Sequence, residues 1–284
     1  MEDFLKFFKK SERIAEKVVK FSKKLVKNGE KIVSIASSIE EKILKLGGKP
    51  AWPVNICINE IAAHYTPFKN EETKISENDF VKVDIGIHVN GYISDNAFTI
   101  CLTDPKNELI TAAEKALLEG TKVVKSGVKI KEISEAIYST LESLNVKPVI
   151  NLCGHSIERY SQHGGISIPN VLNNIEKELK TGQIVALEVF TTSGSGWVEE
   201  SSPANIFQFR ERKPVRMNEA RKILELAERE FEKLPFAKRW LEIPEGKVDL
   251  AISQLIDVGA IKPYPPLKES HGKVAVAEKT ILVK

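Results

Sequence analysis

The sequence predicts an α+β fold that is internally duplicated and carries a small helical insertion. Two patterns predict the duplication: paired segments of helical period, and strands of alternating period that follow each pair. A third, an Arg-, Glu- and Lys-rich stretch before the last strand, predicts the insertion. The length of 284 residues suits one large domain with a subdomain, or two domains. Apolar residues at 42% and charged residues at 29% exclude a disordered or collagen-like chain.

Taken in order, Phe7, Ile14, Val18, Phe21 and Leu25 recur at helical steps, and a second helix from Ile32 to Leu46 stops at Gly47-Gly48. After a Pro-bounded loop around Trp52-Pro53, residues 80–89 alternate apolar and other side chains. Asn90-Gly91 then turns the chain into a second strand, Tyr92 to Leu102. The order repeats with helices marked by Leu109, Ala113, Ala116 and Val123, and by Ile133, Ile137, Leu141 and Leu144. Strands follow at Pro148–Leu152, Ile184–Phe190 and Lys273–Val283. Before the last of them, residues 211–267 show two helical faces, Ala220 to Leu234 and Val248 to Val258, with a stop at Gly259. Residues 1–210 with 268–284 are thus expected to form the main domain and 211–267 an inserted helical subdomain.

Composition narrows the function classes. No apolar run reaches the ~18 residues of a membrane helix, and the start of the chain does not read as a secretory signal. Cys57, Cys101 and Cys153 form no CxxC pair, which argues against a disulfide framework and a Cys-based zinc site and suits a reducing cytoplasm. The net charge of +3 is too small for a dedicated nucleic-acid binder. Residues 1–45 nevertheless hold 12 Lys and Arg against 7 Asp and Glu. A solvated helix face accounts for that excess; a docking surface for phosphate-rich RNA is the alternative.

Four carboxylates interrupt the strand patterns. With a two-residue turn at Asn90-Gly91, Asp95 faces Gly86 and Asp84 faces Ala97. Both acids then share one sheet face as diagonal neighbours, roughly 7–8 Å apart. Glu188 sits in an apolar run, Ile184 to Phe190, and Glu278 follows Val274-Ala275-Val276-Ala277. A buried unpaired carboxylate is costly, and the acids outnumber the buried bases available to them, so divalent cations are the simplest neutraliser. His155 and His163, in Gly154-His155 through His163-Gly164-Gly165, are the nitrogen donors. Such an oxygen-rich set suits Mn, Fe or Co better than structural zinc.

These residues, in this order, resemble the metal-binding set of the methionine aminopeptidases, whose duplicated fold is called pita-bread. The resemblance covers nearly the whole chain. It rests on Ala62-Ala63-His64-Tyr65-Thr66-Pro67, the Asp84 and Asp95 hairpin, Gly154-His155-Ser156-Ile157, His163, Glu188-Val189-Phe190 and Glu278-Lys279-Thr280. The insertion with Tyr264-Pro265-Pro266-Leu267 resembles the type 2 subfamily, in its shorter archaeal form. The resemblance implies two divalent ions (Co, Mn, Fe or Zn) held by Asp84, Asp95, His155, Glu188 and Glu278, with Asp95 and Glu278 bridging. It implies a bridging hydroxide that removes initiator methionine from nascent proteins when the second residue is small. Glu188 would shuttle the proton, His64 contact the scissile amide and His163 the oxyanion. Trp52, Phe190 and Tyr264 would line the methionine pocket.

The implied enzyme is a cytoplasmic monomer acting on nascent-chain N-termini. It has no membrane or specific nucleic-acid partner, and its Lys-rich start would support transient ribosome association. Three positions depart from the family: Lys279 replaces a histidine, Gln162 an apolar residue and Trp52 a smaller Phe. Lys279 is expected to alter the hydrogen bonding around the metals. A proline-specific or creatinase-like peptidase is disfavoured, because only two helices precede the His64 segment. A non-catalytic binding relative is disfavoured because all five ligands are present.

Overall fold

The computed structural model describes residues 2–284. It has two similar halves that meet along their sheets. In the first, helices α1 (Glu2–Ser22) and α2 (Ile32–Lys45) cover a four-stranded sheet built on the hairpin Val81–Val89 and Tyr92–Ile100. In the second, α3 (Glu108–Val123) and α4 (Ile130–Ser143) cover a five-stranded sheet in which the central strand Ile184–Thr192 pairs with the edge strand Val274–Leu282.

Strand alternation decides which side chains meet the helices. Val81, Val83, Ile85 and Ile87 pack with Ile14, Val18, Ile35 and Ile39 of α1 and α2. Val185, Leu187 and Val189, with Ala275 and Ala277, pack against Ala113, Ala116, Ile133 and Ile137 of α3 and α4. The other faces, which carry Asp84, Asp95, Glu188 and Glu278, therefore turn away from the helices and towards each other.

The halves are joined by side chains where a backbone ladder would otherwise run. The Thr99 hydroxyl donates to the Val276 carbonyl (2.8 Å) and accepts from its amide (2.7 Å). Thr280 does the same to Asp95, at 2.7 and 2.6 Å. Lys82 is fully buried, and its ammonium donates to the carbonyls of Asn59 (2.9 Å), Phe80 (3.2 Å) and Val274 (2.9 Å). It is a buried base, but its donors are committed to backbone carbonyls and give the acids no cationic partner.

Three details differ from the sequence expectations. No strand spans 148–152. The pairing there is confined to Lys147–Pro148, and the longer strand is Cys153–Ile157, carrying His155. The Asn151 side chain instead holds the Val198 backbone at both its amide and its carbonyl, bending the chain at that point. The insertion is also not purely helical. Its helices α5 (Asn218–Leu226) and α6 (Glu245–Asp257) pack on a small sheet of Ile206–Phe209, Pro235–Ala237 and Ile261–Tyr264, with its own core around Phe207, Ile223, Phe236 and Leu255. Thirdly, α5 runs into one π-helical turn, Ala227–Phe231, which ends at Glu232 with φ 55°, so the helical face does not reach Leu234.

One buried carboxylate pins the insertion to the first half. Glu40 of α2 accepts from the Arg239 guanidinium, the Trp240 indole (2.9 Å) and the Val54 amide (3.1 Å). Arg239 also donates to the Thr66 hydroxyl and the Pro67 carbonyl, two and three residues beyond His64. Among the described residues no helix is long and apolar enough to cross a membrane.

Candidate metal centre

The hairpin register is the one read from the turn: Val89 pairs with Tyr92, Gly86 with Asp95 and Asp84 with Ala97. In the second half Glu188 lies directly opposite Glu278, and His155 opposite Ala186. One cavity is lined by all four acids together with His155, His163, His64, Trp52 and Tyr264. Ligand atoms of Asp95, His155 and Glu278 lie within 4.8 Å of one another. His155 Nε2 is 3.6 Å from Asp95 Oδ2. Its Nδ1 is 3.3 Å from the Ser156 carbonyl, which fixes the proton on Nδ1 and leaves the Nε2 lone pair facing the acids.

The electrostatics are those of a site that calls for positive charge. Burial pushes Asp84 up to about 7. Burial first, and the neighbouring acids second, push Asp95, Glu188 and Glu278 well above the usual carboxylate range. Asp95 Oδ1 and Glu278 Oε1 are buried without a hydrogen-bond partner. Carboxylate oxygens left in this state are costly, and divalent ions would satisfy them. The donor set of four carboxylates and one neutral imidazole fits such ions.

The histidines stand on the rim. His64 holds φ 61°, and its ring stands edge-on to Tyr264 at 5.6 Å. Burial, and then His163, push it down to about 4, so it is neutral at physiological pH. The His163 ring stands perpendicular to His155 with centroids 4.6 Å apart, and burial and Lys262 lower its pKa. Its loop is set by the first hairpin's tip. Tyr160 N donates to the Gly91 carbonyl (2.9 Å) and Arg159 Nε to that of Asn90 (3.0 Å). Gly91, at φ 82°, has the Tyr160 ring where a side chain would stand.

The three aromatics fall in different places. Trp52 and Tyr264 line the cavity; Phe190 does not. Phe190 shares the Glu188 face but is covered by Ala62, Ala97 and Val276, so it backs the cavity from the core. Lys279 is corrected: it is exposed and pairs with Leu187 on the face opposite Glu278, so it makes no contact with the acids. Ile206 and Pro235 of the insertion also line the cavity, as do Asn55 and Gln162, whose side-chain oxygens are buried and unpartnered. Sequence reasoning singled out neither Ile206 nor Pro235, because each sits in a strand too short to show a period.

The raised acids give the stability of the metal-free chain a definite sign. Below about pH 6.5 the lowered His64, His88, His155 and His163 offset the raised acids, but between about pH 6.5 and 7.5 unfolded histidines have mostly lost their protons and the folded chain binds more protons than the unfolded one. Stability is then highest at the acid end of that window and falls as pH rises through it. Thermal unfolding after chelation is expected to give a lower Tm at pH 7.5 than at pH 6.5. Added Mn or Co should raise Tm at pH 7.5 far more than at pH 5.5. A metal-free Tm that climbs with pH across this window contradicts the reading of the site.

Comparison with known proteins bears on this geometry. Residues 6–222 match the model of metallopeptidase family M24. A methionine aminopeptidase of Thermococcus onnurineus is 49% identical over 253 residues, 88% of this chain and 86% of that protein. The methionine aminopeptidase 2 of Komagataella phaffii is 33% identical over 305 residues, 98% of this chain and 67% of that protein, in keeping with the type 2 resemblance. Among solved structures, a thermophilic Arx1 superposes with TM-score 0.85 at 18% identity, over 99% of this chain and 88% of that one. The methionine aminopeptidase of Rickettsia prowazekii gives 0.71 at 18% identity, over 100% and 94%. These two likenesses carry the fold alone, and the fold is the expected pita-bread one. Sequence and fold together make the chain a member of metallopeptidase family M24 and, within it, of the methionine aminopeptidases.

Proposed function

We propose that this chain removes the initiator methionine from nascent proteins whose second residue is small, using two divalent ions held by Asp84, Asp95, His155, Glu188 and Glu278. The observation that carries the reading is the convergence of four carboxylates, Asp95 and Glu278 buried and Asp84 and Glu188 half-buried, and one neutral imidazole on a single cavity, with two carboxylate oxygens left unpartnered. The bound ions supply Lewis acidity and a water nucleophile deprotonated at neutral pH.

The side chains do the rest. Glu188, central in its strand and lining the cavity with Asp95 and Glu278, is placed to take a proton from the nucleophile and return it to the leaving amine. His64 and His163 are neutral, so each can donate an N–H, His64 at the scissile amide and His163 at the developing oxyanion. Trp52 and Tyr264 give the methionine thioether an apolar wall, backed by Phe190. The buried oxygens of Asn55 and Gln162 are acceptors for the N–H groups of a peptide N-terminus.

The ions would be Co, Mn, Fe or Zn, and the enzyme a cytoplasmic monomer. Residues 1–210 with 268–284 would be the catalytic domain and 211–267 the inserted subdomain. The separate core of the insertion supports that division, although its first strand, Ile206–Phe209, lies ahead of residue 211. The exposed Lys6, Lys9, Lys10, Lys17 and Lys20 of α1 support transient docking on the ribosome, without specific recognition of nucleic acid.

The test is a peptide assay with metal analysis. Met-Ala- and Met-Gly- peptides should be cleaved at least about a hundredfold faster than Met-Leu-, and Asp95→Ala should lose at least about a hundredfold in kcat/KM together with bound metal. Wild-type activity in Asp95→Ala contradicts the mechanism, and equal cleavage of Met-Leu- contradicts the specificity.

A further inference from the structure

Trp52 does more than wall the cavity. Its indole Nε1 donates to Asp84 Oδ1 at 3.1 Å, from a side chain only 7% exposed. No phenylalanine can make that bond, because its ring carries no donor. The indole is seated by the backbone beneath it: a Cβ on Gly86 would run into its ring atoms, so the ring occupies the space that glycine leaves beside Asp84. Ala51 N also donates to the Gly86 carbonyl (2.9 Å), holding the Trp52 segment against that strand. Asp84 has no second hydrogen-bonding side chain among the described residues, so the indole alone fixes the rotation of its carboxylate.

We propose that Trp52 is a positioning residue for the metal centre: its N–H orients the Asp84 carboxylate so that the remaining lone pairs face the cation. This rests on the reading of Asp84 as a metal ligand. An oxygen that accepts one hydrogen bond keeps a second lone pair for a metal, so donor and ion can share Oδ1 without competing. Hydrogen bonds that orient ligating side chains in this way are worth about 10- to 100-fold in metal affinity. Because the same indole lines the cavity, filling the methionine pocket also packs the residue that holds Asp84.

Two substitutions separate positioning from wall-building. Trp52→Phe keeps an aromatic wall and removes only the donor, whereas Gly86→Ala keeps the indole and takes away its seat. Titration of the chelated protein with Mn by calorimetry is expected to show one ion bound about 10- to 100-fold more weakly in Trp52→Phe, with the other much less affected. Gly86→Ala should reproduce that loss, and both variants should keep a cooperative thermal transition. Unchanged Mn affinity in Trp52→Phe overturns the proposal, whether or not KM for a Met-Ala- peptide moves. A wild-type protein that binds no Mn refutes the metal reading itself, and is thereby distinguished from a failure at Trp52 alone.

Discussion

Four carboxylates around one cavity repel each other, and the repulsion grows as water is excluded. Either they keep protons well above the usual carboxylate range, or positive charge is brought among them. Among the described residues the fold supplies none of that charge itself. Lys82 spends its ammonium on three backbone carbonyls, and Arg239 is paired with Glu40 at the insertion. The site is thus built as a deficit of positive charge, and the rest of the structure holds the acids close despite what that costs.

Several devices maintain the closeness. Helix packing on one face of each sheet commits the alternate residues to the other face, so the acids have nowhere else to point. The Thr99 and Thr280 hydroxyls bind the two halves at the strands that carry Asp95 and Glu278, and Thr280 grips the backbone of Asp95 itself. The insertion closes the cavity from outside with Ile206, Pro235 and Tyr264, and the Glu40–Arg239 pair sets its angle against the segment that carries His64. Ligand geometry, pocket wall and rim histidines are in this way parts of one packed unit.

Much of this is legible in the sequence. The Asn90-Gly91 turn and the alternation around it set the register, and the register alone puts Asp84 and Asp95 on one face. The same alternation places Lys279 away from the acids, against the role its position suggested: if Glu278 points in, its neighbour points out. The small sheet of the insertion is hidden because strands of three or four residues, two of them containing proline, carry no readable period. The bond from Trp52 to Asp84 is hidden for another reason, since sequence reports an aromatic residue but not where its single N–H is aimed. Lys82 shares the alternation of Asp84 and is readable as a buried base, but only the carbonyls gathered around it explain why it leaves the acids alone.

If the acids hold protons until cations replace them, counting protons as metal binds is the most direct test. Calorimetric titration of the chelated protein with Mn at about pH 6.5, in buffers of different ionisation enthalpy, should show release of more than one proton per chain. Binding without proton release would mean that the four carboxylates are already charged, and the deficit of positive charge on which this cavity depends would not exist.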